Sequence, residues 1–237
     1  MNIMVFDVPA ESGGALSVLN DFYSEVKQHP DKTVNWIFVL GKANLESQDN
    51  IHVIRFPWVK TSWWHRLYFD FVVSPRLVET YKANKVFSLQ NTAIPLTDVD
   101  QIIYVHQALP FVQKRFSFWA HRRLWLYQNV IRWFIFNSIR RAKTVIVQAD
   151  WLKEICANET GVSVDKFVVI PPRIEQEITS KFSPTREALS TFLYPASALT
   201  YKNHRVIVEA TRHLVTEGFK GFRVIFTVTG KENAEMK

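Results

Sequence analysis

The sequence predicts an α/β fold: a first domain built on a parallel sheet with helices on both faces, then the opening β-α-β unit of a second domain of the same kind. Three observations predict it. Short apolar runs rich in β-branched residues alternate with longer helical patterns, as parallel strands require because each crossover needs a covering helix. A polar stretch holding Pro171, Pro172 and Pro184 interrupts that alternation, the composition of a connection between domains. The pattern then restarts at Thr191. The expected organisation is a first domain over 1–172, a linker over 173–190 and an incomplete second domain over 191–237.

The first strand, NIMVFDV (2–8), runs into a turn at Gly13 and Gly14 and a helix over 14–28. Strands VNWIFVL (34–40) and IHVIRF (51–56) precede a helical pattern over 63–82. KVFSL (85–89) and QIIYVH (101–106) follow, then a long helical pattern over 115–140, the strand TVIVQ (144–148), a helix over 150–159 with Ala149 or Asp150 near its cap, and FVVIP (167–171). Past the linker come TFLYP (191–195), a helix from about Asn203 to Glu217 ended by Gly218, and FRVIFTV (222–228).

A chain of 237 residues, 47% of them hydrophobic, buries a sizeable core, which excludes disorder throughout. The single cysteine, Cys156, excludes an internal disulfide framework and a cysteine-based zinc cluster, fits a reducing compartment, and reads as a small buried side chain. No apolar run reaches the roughly 18 residues of a membrane span, and the amino end breaks too early for a signal peptide, so a cytoplasmic protein is expected. The formal net charge is +7. Residues 113 to 143 alone carry eight basic side chains, Lys114, Arg115, Arg122, Arg123, Arg132, Arg140, Arg141 and Lys143, and no acidic one.

Three places carry candidate chemistry. Gly13 and Gly14 let a ligand approach backbone N–H groups at a helix N-terminus, or they serve only as a strand-to-helix turn. His106 closes a strand at its carboxyl end, where open α/β sheets bind ligands; the alternative is a histidine bonded within its loop. Lys202 and Asn203 precede an amphipathic helix, so the ammonium adds to the positive helix end and suits a diphosphate; the alternative is a solvated lysine.

Together, SGG after the first strand, the VHQALP segment and FLYPASALTYKNHRVIVEATRHL after the proline hinge resemble the family 4 (group 1) glycosyltransferases, which are retaining GT-B enzymes. The resemblance implies a GT-B fold, here with a complete N-terminal Rossmann-like domain and the first β-α-β unit of a second, truncated before its end. It also implies sugar transfer from a nucleotide-sugar donor to an acceptor, with no metal or other cofactor. By the same resemblance Gly13 and Gly14 form the loop beside donor phosphates and acceptor, His106 lies near the reacting sugar, and Lys202, with Asn203, binds the donor diphosphate. Two departures stand out: Ala196 occupies a position where many relatives carry arginine, and VIPPR (169–173) replaces the usual hinge pattern. The family's later acidic motif would fall beyond Lys237.

The helical pattern over 115–140 carries its own signal. At 100° per residue, Leu124, Tyr127, Ile131, Phe134, Ile135 and Ser138 share a face suited to packing on the sheet. The other face mixes Arg122, Arg123, Arg132, Arg140 and Arg141 with Trp125, Leu126, Trp133 and Phe136. Such a face suits an anionic membrane surface, with Arg122, Trp125, Arg132, Trp133 and Arg140 toward the lipid. Cover by neighbouring protein is the alternative; RNA is a third, without any recognised nucleic-acid module. FPWVKTSWWHRLYF (56–69) extends the aromatic surface.

The expected function is therefore a glycosyltransferase of surface-polysaccharide synthesis, peripheral on the inner face of the cytoplasmic membrane, acting on a saccharide or lipid-linked saccharide. The competing reading is a catalytically incomplete acceptor- and membrane-binding piece, or one half of an enzyme completed by a second polypeptide. A nucleotide-sugar epimerase stays open on fold alone.

Overall fold

The computed structural model describes residues 1–113, 115–173 and 190–232. The chain divides into two compact units, Met1–Ile174 and Glu175–Lys237. Most of the expected linker, and Lys114, lie outside the described residues.

The first unit is built on strands β1 (Asn2–Asp7), β2 (Asn35–Leu40), β3 (Ile51–Arg55), β4 (Lys85–Ser88), β5 (Gln101–Val105), β6 (Thr144–Val147) and β7 (Phe167–Val169). They form one sheet in the order β3-β2-β1-β4-β5-β6-β7, every pair parallel. Strand alternation sorts the core into two faces. Val5, Phe38, Leu40, Tyr104 and Ile146 face helix α1 (Gly13–Gln28) through Leu19 and Val26. On the opposite face Met4, Phe6, Ile37 and Val39 pack against Val59, Phe69 and Val78. Farther along that face, Ile103, Val105, Val145 and Val147 pack against Ile135, Phe136, Ile139, Leu152 and Cys156.

Two of the covering helices contain a π turn. α2 (Trp63–Tyr68), a π turn (Phe69–Val73) and α3 (Ser74–Thr80) follow without a break, as do α4 (Arg122–Leu126), a π turn (Tyr127–Ile131) and α5 (Arg132–Arg141). The helix after β6, α6 (Asp150–Thr160), ends at Gly161, whose φ of 69° is the left-handed cap glycine adopts without strain.

Two expectations are corrected here. The helix expected from residue 115 begins at Arg122; ahead of it the Phe116 N–H donates to Gln128 Oε1, and a turn closed by His121 N–H onto the Ser117 carbonyl occupies the segment. The uniform 100° phase also fails beyond residue 127. An i→i+5 turn takes one more residue than an α turn, so downstream positions rotate by about 100°. Ile135 and Ser138 are buried as expected, but Phe136 and Ile139 join them, and Phe136, expected on the outer face, stacks on Phe111 at 5.3 Å.

In the second unit, β8 (Thr191–Tyr194) and β9 (Arg223–Phe226) pair in parallel, connected through α7 (His204–Thr216). None of the residues of α7 is buried, and Phe192, Leu193, Val206, Val215 and Phe219 are exposed.

Candidate functional site

The strand order reverses between β1 and β4. In open α/β sheets that reversal opens a crevice at the carboxyl ends of the strands. Gly13, Gly14 and His106 all follow carboxyl ends there, after β1 and β5.

At the β1 side, Ser12 precedes α1 in an extended conformation without a side-chain cap, and no acidic residue occupies the first turn. The leading N–H groups are thus left for a ligand or water. Gly13 takes φ 61°, which favours glycine, and a Cβ at either Gly13 or Gly14 would meet nothing within 4 Å. The loop is held from the side by Lys60, whose Nζ lies 2.9 Å from Glu11 Oε2 and also reaches the Pro9 carbonyl.

The β5 side is organised by Asn91, in the loop after β4. Its Oδ1 accepts from the backbone N–H of His106 at 2.8 Å and of Gln107 at 2.9 Å, and its Nδ2 lies 3.3 Å from His106 Nε2. Desolvation lowers the His106 pKa from its ordinary value, which favours the neutral ring. The ring lies 5.8 Å from that of Tyr104, whose hydroxyl accepts from Gln148 Nε2. Arg132 braces the following segment: it donates to the Pro110 carbonyl, pairs with Glu159 Oε2 at 2.6 Å and lies 4.6 Å over the Phe136 ring. Arg140 donates to the Thr160 carbonyl. Arg132, expected to face lipid, is thus held in internal contacts, whereas Arg140 stays exposed while making that bond.

Asp7 belongs to this end of the sheet, and sequence patterning passed over it because it sits inside an apolar strand. Burial pushes its carboxyl up to about 7, against the pull of the Arg66 guanidinium and the Ala10 N–H. Arg66 itself bonds Asp70 at 2.6 Å, whose carboxyl burial likewise raises. Asp7 Oδ1, Glu11 Oε1, Gln90 Oε1 and His106 Nδ1 are buried without hydrogen-bond partners among the described residues. Asp7 is the last residue of β1, and Glu11, Gln90 and His106 follow the ends of β1, β4 and β5. Gln90 and Asn91 carried no motif; the signal that finds them is their position after β4, one strand from His106.

The other expected residues lie elsewhere. Trp133 and Trp125 flank the π turn, Trp133 exposed and Trp125 packed on Phe118 at 5.1 Å. Arg122 is exposed, 5.7 Å over the Phe118 ring. In the second unit Lys202 is exposed, with Nζ 5.5 Å from the Tyr201 ring centroid, and its carbonyl accepts from Tyr194 Oη. Asn203 caps α7 at φ 52° without a side-chain cap bond. Cys156 is buried, and desolvation pushes its thiol up to about 12. No group of three or more metal-ligating side chains occurs among the described residues. Cavities of about 420 and 370 Å³ lie at the amino ends of the strands, lined by Asn2, Asn35 and His52 and by Lys82, Leu96 and Val99. Asn2 and Asn35 there are already bonded to each other, and the arrangement of partnerless groups favours the carboxyl end.

No protein-family model and no curated protein matches the sequence. Solved structures are similar in fold. The apo form of lipopolysaccharide outer core galactosyltransferase WaaB matches over 95% of this chain and 60% of that one, with a TM-score of 0.58 and 13% identity. Medicago truncatula UGT71G1 complexed with UDP-glucose matches over 99% and 67%, at 0.52 and 12%. The UDP-N-acetylglucosamine 2-epimerase of Rickettsia bellii matches over 95% and 61%, at 0.50 and 13%. The chain thus spans about 60% of the length of the first of these. The likeness, with the seven-stranded parallel sheet, establishes an α/β fold of the GT-B, Rossmann-like kind.

Proposed function

We propose that this protein is a glycosyltransferase that moves a sugar from a nucleotide-sugar donor to a saccharide or lipid-linked saccharide acceptor. The observation that carries the reading is the concentration of partnerless buried polar groups, His106 among them, at the switch point of a GT-B sheet. In a retaining transfer the C1–oxygen bond to the diphosphate breaks, the acceptor oxygen bonds to C1 on the same face, and the acceptor proton passes to the departing diphosphate. The chief demand on the protein is to stabilise that anion. In the second unit, Lys202 and the N-terminus of α7, with Asn203 beside them, are the groups suited to meeting such an anion; in the first unit, His106 is the group suited to orienting a sugar. Gly13 and Gly14 leave α1 N–H groups open to acceptor or donor oxygens. A nucleotide-sugar substrate, with no resident cofactor, meets these needs. The test is product formation from a panel of nucleotide sugars with membrane-extracted acceptors, together with donor binding by calorimetry. Lys202→Ala retaining full donor binding removes Lys202 from the role; a chain that binds no nucleotide sugar refutes the reading.

A second reading is favoured by α7, which lies on a two-stranded sheet with no buried residue. Such a unit gains a core from further strands or from packing against another element. On this reading the chain is an acceptor- and membrane-binding piece, or one half of an enzyme completed by a second polypeptide; co-purification of a protein carrying the missing strands supports it.

Action at the inner face of the cytoplasmic membrane, in surface-polysaccharide synthesis, completes the proposal. It is supported by exposed Trp63, Trp64 and Trp133 and by the contact of Phe71 with Phe134 at 6.2 Å, which joins the aromatic parts of the two π-containing helices. No helix among the described residues is long and apolar enough to cross a membrane, so attachment would be peripheral. Flotation with anionic liposomes tests it: loss of binding in Trp64→Ala/Trp133→Ala and in Arg122→Glu/Arg123→Glu supports the membrane role, and binding by neither the native chain nor its variants refutes it.

A further inference from the structure

We infer that Asn91 is a positioning residue that fixes His106 as the Nδ1–H tautomer, so that the imidazole holds a hydrogen-bond donor on the edge turned away from Asn91. The argument rests on three hydrogen bonds. Because Asn91 Oδ1 accepts from two consecutive backbone N–H groups, of His106 and Gln107, the orientation of the amide is settled by its surroundings. Its other end is then an NH₂ group, which donates and does not accept. The 3.3 Å contact with His106 Nε2 therefore makes that nitrogen the acceptor. A neutral imidazole that accepts at Nε2 carries its proton at Nδ1.

Several features agree. Burial favours the neutral ring. Asn91 adopts φ 67°, a left-handed conformation that asparagine tolerates better than most residues, and this bend lets one side chain reach both the β5 terminus and the ring. His106 Nδ1 has no partner among the described residues. A ligand that meets this edge must offer an oxygen lone pair, whether from a hydroxyl, a carbonyl or a phosphate. The tautomer stands on the hydrogen bonds alone; its service to sugar transfer rests on the function proposed above.

The test is long-range ¹⁵N–¹H correlation on the full chain labelled at histidine, recorded at a pH where the rings are neutral, with His106 assigned by the signals missing from His106→Gln. The native protein should show a protonated Nδ1 and a bare Nε2. In Asn91→Asp one carboxylate oxygen keeps the two backbone N–H groups while the other faces Nε2, so the proton moves to Nε2. A native His106 protonated at Nε2, or an Asn91→Asp spectrum with the native pattern, overturns the inference. If Asn91→Asp does not fold, the native spectrum alone decides. Both readouts use the uncomplexed protein, so failure to detect transfer or nucleotide-sugar binding would refute the proposed function and leave the tautomer intact.

Discussion

Replacing Asp7 by asparagine should remove a large part of the protein's loss of stability between acid and alkaline pH. Asp7 is 1% exposed at the end of β1. Burial moves its pKa from 3.8 to about 7 despite Arg66 nearby. The folded chain therefore holds this proton more tightly than the unfolded chain. Stability from this group is fully present below the unfolded value and falls as pH rises toward the folded one, because in that window the native state binds the extra proton. The interval from 3.8 to about 7 corresponds to about 4 kcal/mol at about 1.4 kcal/mol per unit. Of this, about 3 kcal/mol falls between about pH 5 and about pH 8. Asparagine keeps the size of the side chain and an oxygen for the Ala10 N–H but has no proton to lose. Asp70 and His106 titrate in both proteins, so they cancel in the comparison. Urea unfolding followed by tryptophan fluorescence, for the native chain and Asp7→Asn across that range, measures the double difference. Parallel profiles would refute the argument, since they would mean that Asp7 ionises in the fold as easily as in water.

Further outcomes follow from single contacts. Gly41→Ala places a Cβ against the Val8 carbonyl oxygen, backbone that cannot swing aside, and should destabilise by about 1–3 kcal/mol in the same assay. Arg132→Ala loses the Glu159 pair, the bond to Pro110 and the stack on Phe136, for a cost of about 1–3 kcal/mol, whereas exposed Arg123→Glu should stay within about 0.5 kcal/mol. Cys156, buried and with its thiol held up near 12, should resist iodoacetamide in the folded protein and react on unfolding, read by mass spectrometry.

The strands were legible because their signal is local, a short apolar run rich in β-branched residues between turn signals, and all nine were placed, most ending one or two residues short of the expected carboxyl end. The end of the sheet on which Gly13, Gly14 and His106 stand was legible for the same reason. What hid from the sequence depends on phase and on neighbours distant along the chain. The wheel through residues 115–140 assumed one constant angle, and the π turn at Tyr127–Ile131 broke it, carrying Phe136 inward. Arg132 looked like a lipid-facing cation because Glu159, its partner, lies 27 positions away. Asp7 and Asn91 escaped notice because neither belongs to a spacing pattern; burial singles out the first and a left-handed turn the second.

The two π turns also bear on how related sequences should be aligned. Each holds one residue more than an ordinary helical turn, so a relative lacking that residue would be longitudinally almost unchanged yet present a different set of side chains to its sheet from that point onward. Its alignment with this chain needs a one-residue gap in the middle of a helix, where gaps are normally penalised. Without the gap, Ile135, Phe136 and Ile139 would be matched to their neighbours' positions and the helix would read as having lost its core. Single-residue insertions and deletions at Phe69–Val73 and Tyr127–Ile131 are thus changes of rotation rather than of length, and the resemblance of distant homologues is best judged in separate segments before and after each turn.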